Sequence, residues 1–493
     1  MTASRLSLAT LARLPPDVAR PGYDPAAIDI GIVHVGPGAF HRVHQAWYVD
    51  RLLRQDPRWG ICAVSLRSAE LQEALAPQDG LYTLAVRDQQ CSHQVIGALR
   101  ESLVAPRDPG AVLQRLAAPG IHAVTLTVTE KGYCLGADGA LDLARPDLQQ
   151  DLATPHSPTT LIGFLVESLS RRRAAGTAPP AILSCDNLSD NGPRLRAAIV
   201  AMAQARDRGL ADWIAQEVAF PRSMVDSITP ATTDALRAEV AAATGLEDRW
   251  PVQREAFVQW VIEDHRAAAG PDWAAAGAIL TDDVPAWERA KLRLLNGAHS
   301  TLAYVGLLAG HATVSGAIAD PALAGFIERL WAQEVLPGLG APRGLDLVAY
   351  AGAVLARFRN PVIRHELAQI AWDGSQKLPI RIQDGLAQNL AEGRPVTHLF
   401  LPLAAWMLWV RRAARARQRL VDPLADALHE LGAAATGEAR LDVSRWLAEP
   451  RLYRRELASD PRFITGLMRA YDRLAAADAA GAAAVGNCVA TWS

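Results

Sequence analysis

The chain has 493 residues, and at roughly 100–200 residues per domain the simplest arrangement is two domains. Half of it is apolar and 21% is charged, with a formal net charge of −2. This excludes a disordered or fibrous chain and leaves no basic field for nucleic acid or an acidic membrane surface.

The N-terminal stretch to Arg20 is broken by Arg5, Arg13 and Pro15-Pro16, so no signal sequence is expected. Residues 28–35 form a short β-branched run. Gly36-Pro37-Gly38 follows, and then a helical pattern over 41–53. Further strands are expected at 61–66 and 121–128, the latter ending in Thr129-Glu130-Lys131-Gly132, and at 181–184, ending in Cys185-Asp186-Asn187. Strands alternating with helices imply β-α-β units and a mostly parallel sheet, with ligands beyond the carboxyl ends of the strands. From about Val284 long Ala/Leu-rich helical stretches dominate: 286–308, 321–335, 346–358, 365–371, 399–419 and 422–431. An Ala-rich helix or tail at 475–484 closes the chain, and the basic run 411–419 fits a solvated helix face. The expected fold is α/β: a Rossmann-type domain over 1–280 and a mostly α-helical domain over 281–493. The longest apolar run, 399–410, is about a dozen residues with Pro402 inside, short of the ~20 a membrane span needs. A cytoplasmic protein without membrane or nucleic-acid partners is expected. The five cysteines, Cys62, Cys91, Cys134, Cys185 and Cys488, are scattered and contain no C-x-x-C pair. Neither a disulfide framework nor a metal site built on cysteine is expected.

Of the 50 basic residues only Lys131, Lys291 and Lys377 are lysines. Where arginine serves for surface charge, a retained lysine points to a position that needs an amine able to lose its proton. The Gly36-Pro37-Gly38 turn lies between a strand and a helix, where glycines let the backbone approach a pyrophosphate. His41 stands where a third glycine would complete the G-x-G-x-x-G pattern. Glu70 is the acidic residue best placed to reach an adenosine ribose, which favours NAD over NADP, while Arg67 pulls the other way. In the stretch 287–299, an α-helix with Lys291 at zero puts Glu288, His299 and Asn296 at about 60°, 80° and 140°. Four polar groups then share one arc of a helix that is apolar elsewhere, so the lysine is expected to be desolvated and able to take a proton from an alcohol. Asn187, just past a strand end, can donate to a substrate oxygen. Lys377, expected in a turn after a helical 363–371, can clamp a hydroxyl or carboxylate.

The segments GPGAFHRVHQA (36–46), TVTEKGYC (127–134), SCDN (184–187), FPRSMVDSITP (220–230), FVQWVIED (257–264), KLRLLNGAHS (291–300) and DGSQKLP (373–379) resemble the mannitol dehydrogenase family of polyol-specific long-chain dehydrogenases and reductases. The resemblance implies a Rossmann domain, a helical C-terminal domain, and metal-independent hydride transfer with a nicotinamide cofactor, NAD. It implies Lys291 as general acid/base, Asn187 and Asn296 as the pair that polarises the reacting oxygen, and Glu288 as the carboxylate that exchanges protons with the lysine. His299 and Lys377 match substrate-binding positions, with Arg364 and His365 as further candidates. Val35, Gly36, Gly38, Ala39, Phe40, Arg67, Glu70, Thr129, Glu130 and Asp226 are the expected cofactor contacts. Within the family, residues 360–382 look most like the D-mannonate oxidoreductases (fructuronate reductases), because Gln369 stands where polyol members tend to carry arginine. The implied activity joins a secondary alcohol and a ketone on a sugar acid, with a polyol dehydrogenase as the alternative, in a monomer or small homo-oligomer. Two departures could retune the substrate pocket: Ser227 replaces a usual arginine, and His265-Arg266 replaces a usual Asn-Phe.

Overall fold

The computed structural model describes residues 4–88, 90–136, 138–265, 270–362 and 364–493. Arg266 and Ile363, on which two of the expectations above fall, lie outside them. The chain divides into two compact units, Met1–Pro285 and Ala286–Ser493.

In the first unit the described strands are β1 (Val18–Ala19), β2 (Ile30–Val35), β3 (Gly60–Ser65), β4 (Tyr82–Arg87), β5 (Ser92–Ile96), β6 (Leu99–Val104), β7 (Ala123–Leu126), β8 (Ala181–Ser184), β9 (Ser223–Asp226), β10 (Val252–Glu255), β11 (Gln259–Glu263) and β12 (Ile279–Thr281). The main sheet has five strands in the order β6-β3-β2-β7-β8, and every pairing in it is parallel. Renumbered within the sheet this is 3-2-1-4-5, the dinucleotide-binding order, and it reverses direction between β2 and β7. Alternate residues of one strand feed two cores, as a parallel sheet covered on both faces requires. Val33 and Val35 pack with Val64, Val124 and Leu126 on one face, while Ile32 packs with Ile61, Ala63 and Leu183 on the other. Two smaller mixed sheets, β1-β5-β4-β10 and β12-β11-β9, complete the unit.

The strands expected at 28–35, 61–66 and 181–184 are present, and the one at 121–128 is confined to Ala123–Leu126. The single helix expected over 41–53 is two pieces, Ala39–Val43 and Gln45–Leu52, separated at His44 with φ −115° and ψ −89°. His41 is fully buried and stacks on His34 with ring centroids 3.4 Å apart. An imidazole thus fills the space that a third glycine would leave for close helix–sheet contact.

The helical unit is built around Phe400–Arg415, whose residues from Phe400 to Leu408 are all buried. A helix apolar on all sides must be packed on all sides, and this one lies against Gly297–Leu308, Ala425–Ala433 and Pro461–Ala480. The helix expected at 365–371 shrinks to Leu367–Ile370, and the Ala-rich end splits at Gly481 into Pro461–Ala480 and Ala482–Ala490. No helix among the described residues is long and apolar enough to cross a membrane.

Candidate active site

In the first unit, the crevice residues gather where the sheet reverses. Gly36 follows β2 with φ +88°, and a Cβ there would lie 2.3 Å from the Thr127 carbonyl oxygen, so only glycine lets β2 and β7 end this close together. At Gly38 the nearest atom to an added Cβ is 4.0 Å away, which leaves the backbone open to a ligand. The two strand ends are stitched by side chains. The Thr127 hydroxyl donates to the Gly36 carbonyl at 2.6 Å, so it accepts from His34 Nε2–H at 2.9 Å, and His34 Nδ1 accepts from Thr125 at 2.7 Å. Burial drives the His34 pKa down to about 3, which keeps this tautomer neutral. Val35 is buried at the end of β2, Gly38 is exposed, and Ala39 and Phe40 are half-buried.

Arg67 and Glu70 are both exposed beyond β3, but Glu70 lies further on, in the first turn of Glu70–Leu75, and Arg67 stands between it and the strand. Thr129 and Glu130 are exposed after β7, with Thr129 at φ 66° and ψ 164°. Asn187 is exposed in the bend after β8, and Asp226 is buried as the last residue of β9. Ser227 donates to the Phe257 carbonyl at 3.0 Å, and His265 Nδ1 lies 3.2 Å from the Glu263 carbonyl.

The helical unit holds the second group. Val284–Ala290 runs into a π-helical turn, Lys291–Asn296, and then into Gly297–Leu308. The α-helical arc drawn from the sequence is therefore wrong in phase, because a π turn bonds i to i+5 and advances each residue by less than 100°. Lys291 and His299 are each 6% exposed, and Glu288 and Asn296 are half-buried. Asn296 Oδ1 and His299 Nε2 are buried with no hydrogen-bond partner, an expensive state unless a ligand meets them.

His299 lies 4.5 Å from the Phe358 ring and 5.2 Å, edge on, from His365. Burial holds the His299 pKa well below its ordinary value, and His365, Arg381, Arg357 and Lys377 push it the same way. Lys377 is on a short helix, Gly374–Leu378, and not in the expected turn. A Cβ on Gly374 would meet Tyr304 Oη at 2.5 Å and Trp406 Nε1 at 2.6 Å, so glycine lets this helix settle onto the core. Lys377 Nζ is 3.5 Å from the Ile370 carbonyl and 3.9 Å from Asp373, and burial lowers its pKa to about 8. Arg364 is not part of this group; it is exposed and donates to Glu366 at 2.6 Å.

Three residues escaped the sequence reading. Arg381 donates to Ser300 Oγ at 3.1 Å, its Nε has no partner, and burial lowers its pKa to about 10. One arginine among 47 gives no signal of this kind. Asp186 and Asn191 hold the loop that carries Asn187. Asn191 Nδ2 donates to the carbonyls of Ser184, Asp186 and Ser223 at 3.3, 3.2 and 2.8 Å. Asp186 sits inside the SCDN motif, which marked the segment but not this side chain.

Cys91, His93 and Glu239 also converge, with Sγ 3.6 Å from Glu239 Oε1 and His93 Nε2 3.3 Å from the same oxygen. Arg87 donates to both Glu239 oxygens at 2.8 Å and to Cys91 at 3.3 Å. A guanidinium already answers the charge that a cation would need.

A parallel sheet in this order, with an obligate glycine at its switch point, belongs to the dinucleotide-binding class. The comparisons narrow the class. Residues 30–275 match the mannitol dehydrogenase Rossmann domain and residues 283–475 the mannitol dehydrogenase C-terminal domain. The chain belongs to the mannitol dehydrogenase family of oxidoreductases. It is 40% identical to D-mannonate oxidoreductase of Escherichia coli strain K12, over 93% of this chain and 96% of that one. It is 39% identical to mannitol 2-dehydrogenase of Phaeosphaeria nodorum, over 93% of this chain and 81% of that one. The structure of Pseudomonas fluorescens mannitol 2-dehydrogenase in ternary complex with NAD and D-mannitol matches with a TM-score of 0.84 at 35% identity, covering 98% of each chain.

Proposed function

We propose that the chain is an NAD-dependent dehydrogenase/reductase that interconverts a secondary alcohol and a ketone on a sugar acid, with D-mannonate and D-fructuronate as the pair. The observation that carries the sugar-acid reading is the positive charge around His299. Among the described residues Arg381 has no carboxylate partner, and Lys377, which also reaches the Ile370 carbonyl, pairs with a single carboxylate, Asp373, at 3.9 Å. A substrate carboxylate answers that charge, and a polyol does not. Gln369, in place of an arginine common in polyol members, supports the same reading. The polyol alternative draws on the similarity to the structure that holds D-mannitol.

In oxidation Lys291 takes the hydroxyl proton as a free amine, and in reduction its ammonium returns it. Asn296 offers its amide N–H to the reacting oxygen, and its unpartnered Oδ1 accepts from a neighbouring substrate hydroxyl. By the family resemblance Asn187 also has a polarising task, and Glu288 exchanges the proton with Lys291. A nicotinamide coenzyme held at Gly36 and Gly38 would supply the hydride acceptor for oxidation and the hydride donor for reduction.

The fit of a dinucleotide rests on the constrained Gly36 and the open Gly38. Glu70 supports NAD, and Arg67 is the residue that would favour a 2′-phosphate. Titrating NADH and NADPH against the wild type and Arg67→Ala tests the preference: tighter NADH is expected, and tighter NADPH contradicts it. A screen of hexonates and polyols with NAD tests the substrate class. Turnover confined to polyols makes the enzyme a polyol dehydrogenase.

A further inference from the structure

The residues after β7 stand at the switch point, and one of them is held in a conformation its own chemistry disfavours. Thr129 has φ 66° and ψ 164°, a region that β-branched residues avoid and that persists only where the surroundings enforce it. The enforcing group is the Asp186 carboxylate, reaching across from the end of β8. Its Oδ1 accepts from Thr129 N–H at 2.8 Å, and its Oδ2 accepts from Val128 N–H at 3.2 Å and from the Tyr133 hydroxyl at 2.7 Å. The Tyr133 hydroxyl is also hydrogen-bonded to Ser184 Oγ. At the same time the Asp186 carbonyl is tied by Asn191 Nδ2 at 3.2 Å. One residue thus fixes the strand end next to Gly36 and begins the bend that carries Asn187.

We infer that Asp186 is a positioning residue that holds the Val128–Thr129 backbone in the crevice in the shape that receives the nicotinamide coenzyme. The inference rests on the coenzyme reading above. Asparagine at 186 keeps the size but replaces one acceptor oxygen with an NH₂ group, which faces a second donor whichever way the amide turns. Thr129 then relaxes to an ordinary conformation, and the crevice edge moves with it. Glycine at 129 has no Cβ to strain, so it keeps the bound shape available even when the carboxylate is lost.

The test is a titration of NADH, followed by tryptophan fluorescence, on the wild type, Asp186→Asn, Thr129→Gly and the double variant, with thermal unfolding of each. Expected are NADH binding by the wild type and a roughly tenfold weaker Kd in Asp186→Asn, the loss of about one charge-assisted hydrogen bond. The double variant should bind NADH within about twofold of Thr129→Gly alone, because a backbone without Cβ strain at this position no longer needs the carboxylate. A purely structural Asp186 would lower the unfolding temperature while the folded fraction bound NADH as before. Asp186→Asn binding within about twofold of wild type, or a double variant as far below Thr129→Gly as Asp186→Asn is below wild type, overturns the inference. If Asp186→Asn fails to fold, Tyr133→Phe loosens the same carboxylate and should weaken binding about threefold; unchanged binding there overturns it equally. A wild type that binds neither NADH nor NADPH refutes the coenzyme reading and this inference together.

Discussion

Lys291 is almost wholly buried, yet it is one of three lysines in a chain with 50 basic residues. If it moves the proton, both Lys291→Ala and Lys291→Arg should lower kcat by about 10²–10⁴, because a guanidinium cannot serve as a base. The NADH Kd should stay unchanged in each, which fluorescence titration would check. Arg381 makes the complementary prediction. Arg381→Gln should raise KM for a hexonate by on the order of tenfold or more and leave any polyol turnover unaffected. Lys377 adds a pH signature. With its pKa lowered to about 8, it is cationic below that pH and neutral above it. KM for an acidic substrate should therefore rise as pH climbs through about 8, while KM for a neutral polyol stays level.

Among the elements, the π-helical turn Lys291–Asn296 is the one that the sequence hides. Apolar spacing at 286–308 marks a buried helix, and it is one, but nothing in KLRLLN says that the hydrogen bonds run to i+5. A π turn amounts to one extra residue in an α-helix. Deleting Leu292 should restore the α register and remove the widened turn beside Lys291, while leaving His299 on its present side of the helix, because one residue is what such a turn absorbs. The expected result is helicity by circular dichroism close to wild type with turnover lost; retained turnover would show that the turn is incidental. The same limit explains the strands that went unforeseen. β6 (LRESLV) is an edge strand with four half-exposed residues, so it lacks the apolar run that marked β2, β7 and β8. The crevice was legible because Gly36 and the strand ends leave compositional traces. The positions of Arg381 and Asp186 were not, because their importance lies in partners distant in sequence. His41 shows how a departure from a motif reads in three dimensions: the missing glycine is an imidazole packed against His34.

At the scale of the whole molecule, several histidines are folded as neutral rings. Burial lowers the pKa values of His34, His41, His299 and His365 below 6.5. The unfolded chain binds protons at these sites as pH falls below 6.5 and the native chain does not, so stability must fall with pH there. His34 alone, with a folded pKa of about 3, should cost about 2 kcal/mol by pH 5. Unfolding temperatures measured from pH 7 to pH 5 should drop steeply below 6.5, and a flat profile would mean that these rings are not buried as neutral groups. Of the two units, the first carries a crevice built on backbone and small residues, and the helical one carries Lys291 and Asn296 on its π-helical turn and His299 near Lys377 and Arg381.

The most direct test of the central claim is NADH oxidation with D-fructuronate and D-fructose side by side, compared as kcat/KM. The cationic surroundings of His299 predict a preference for fructuronate of at least about a hundredfold, the scale of one well-placed charge pair. Equal use of both sugars, or a preference for fructose, would contradict the sugar-acid assignment and make this a polyol enzyme.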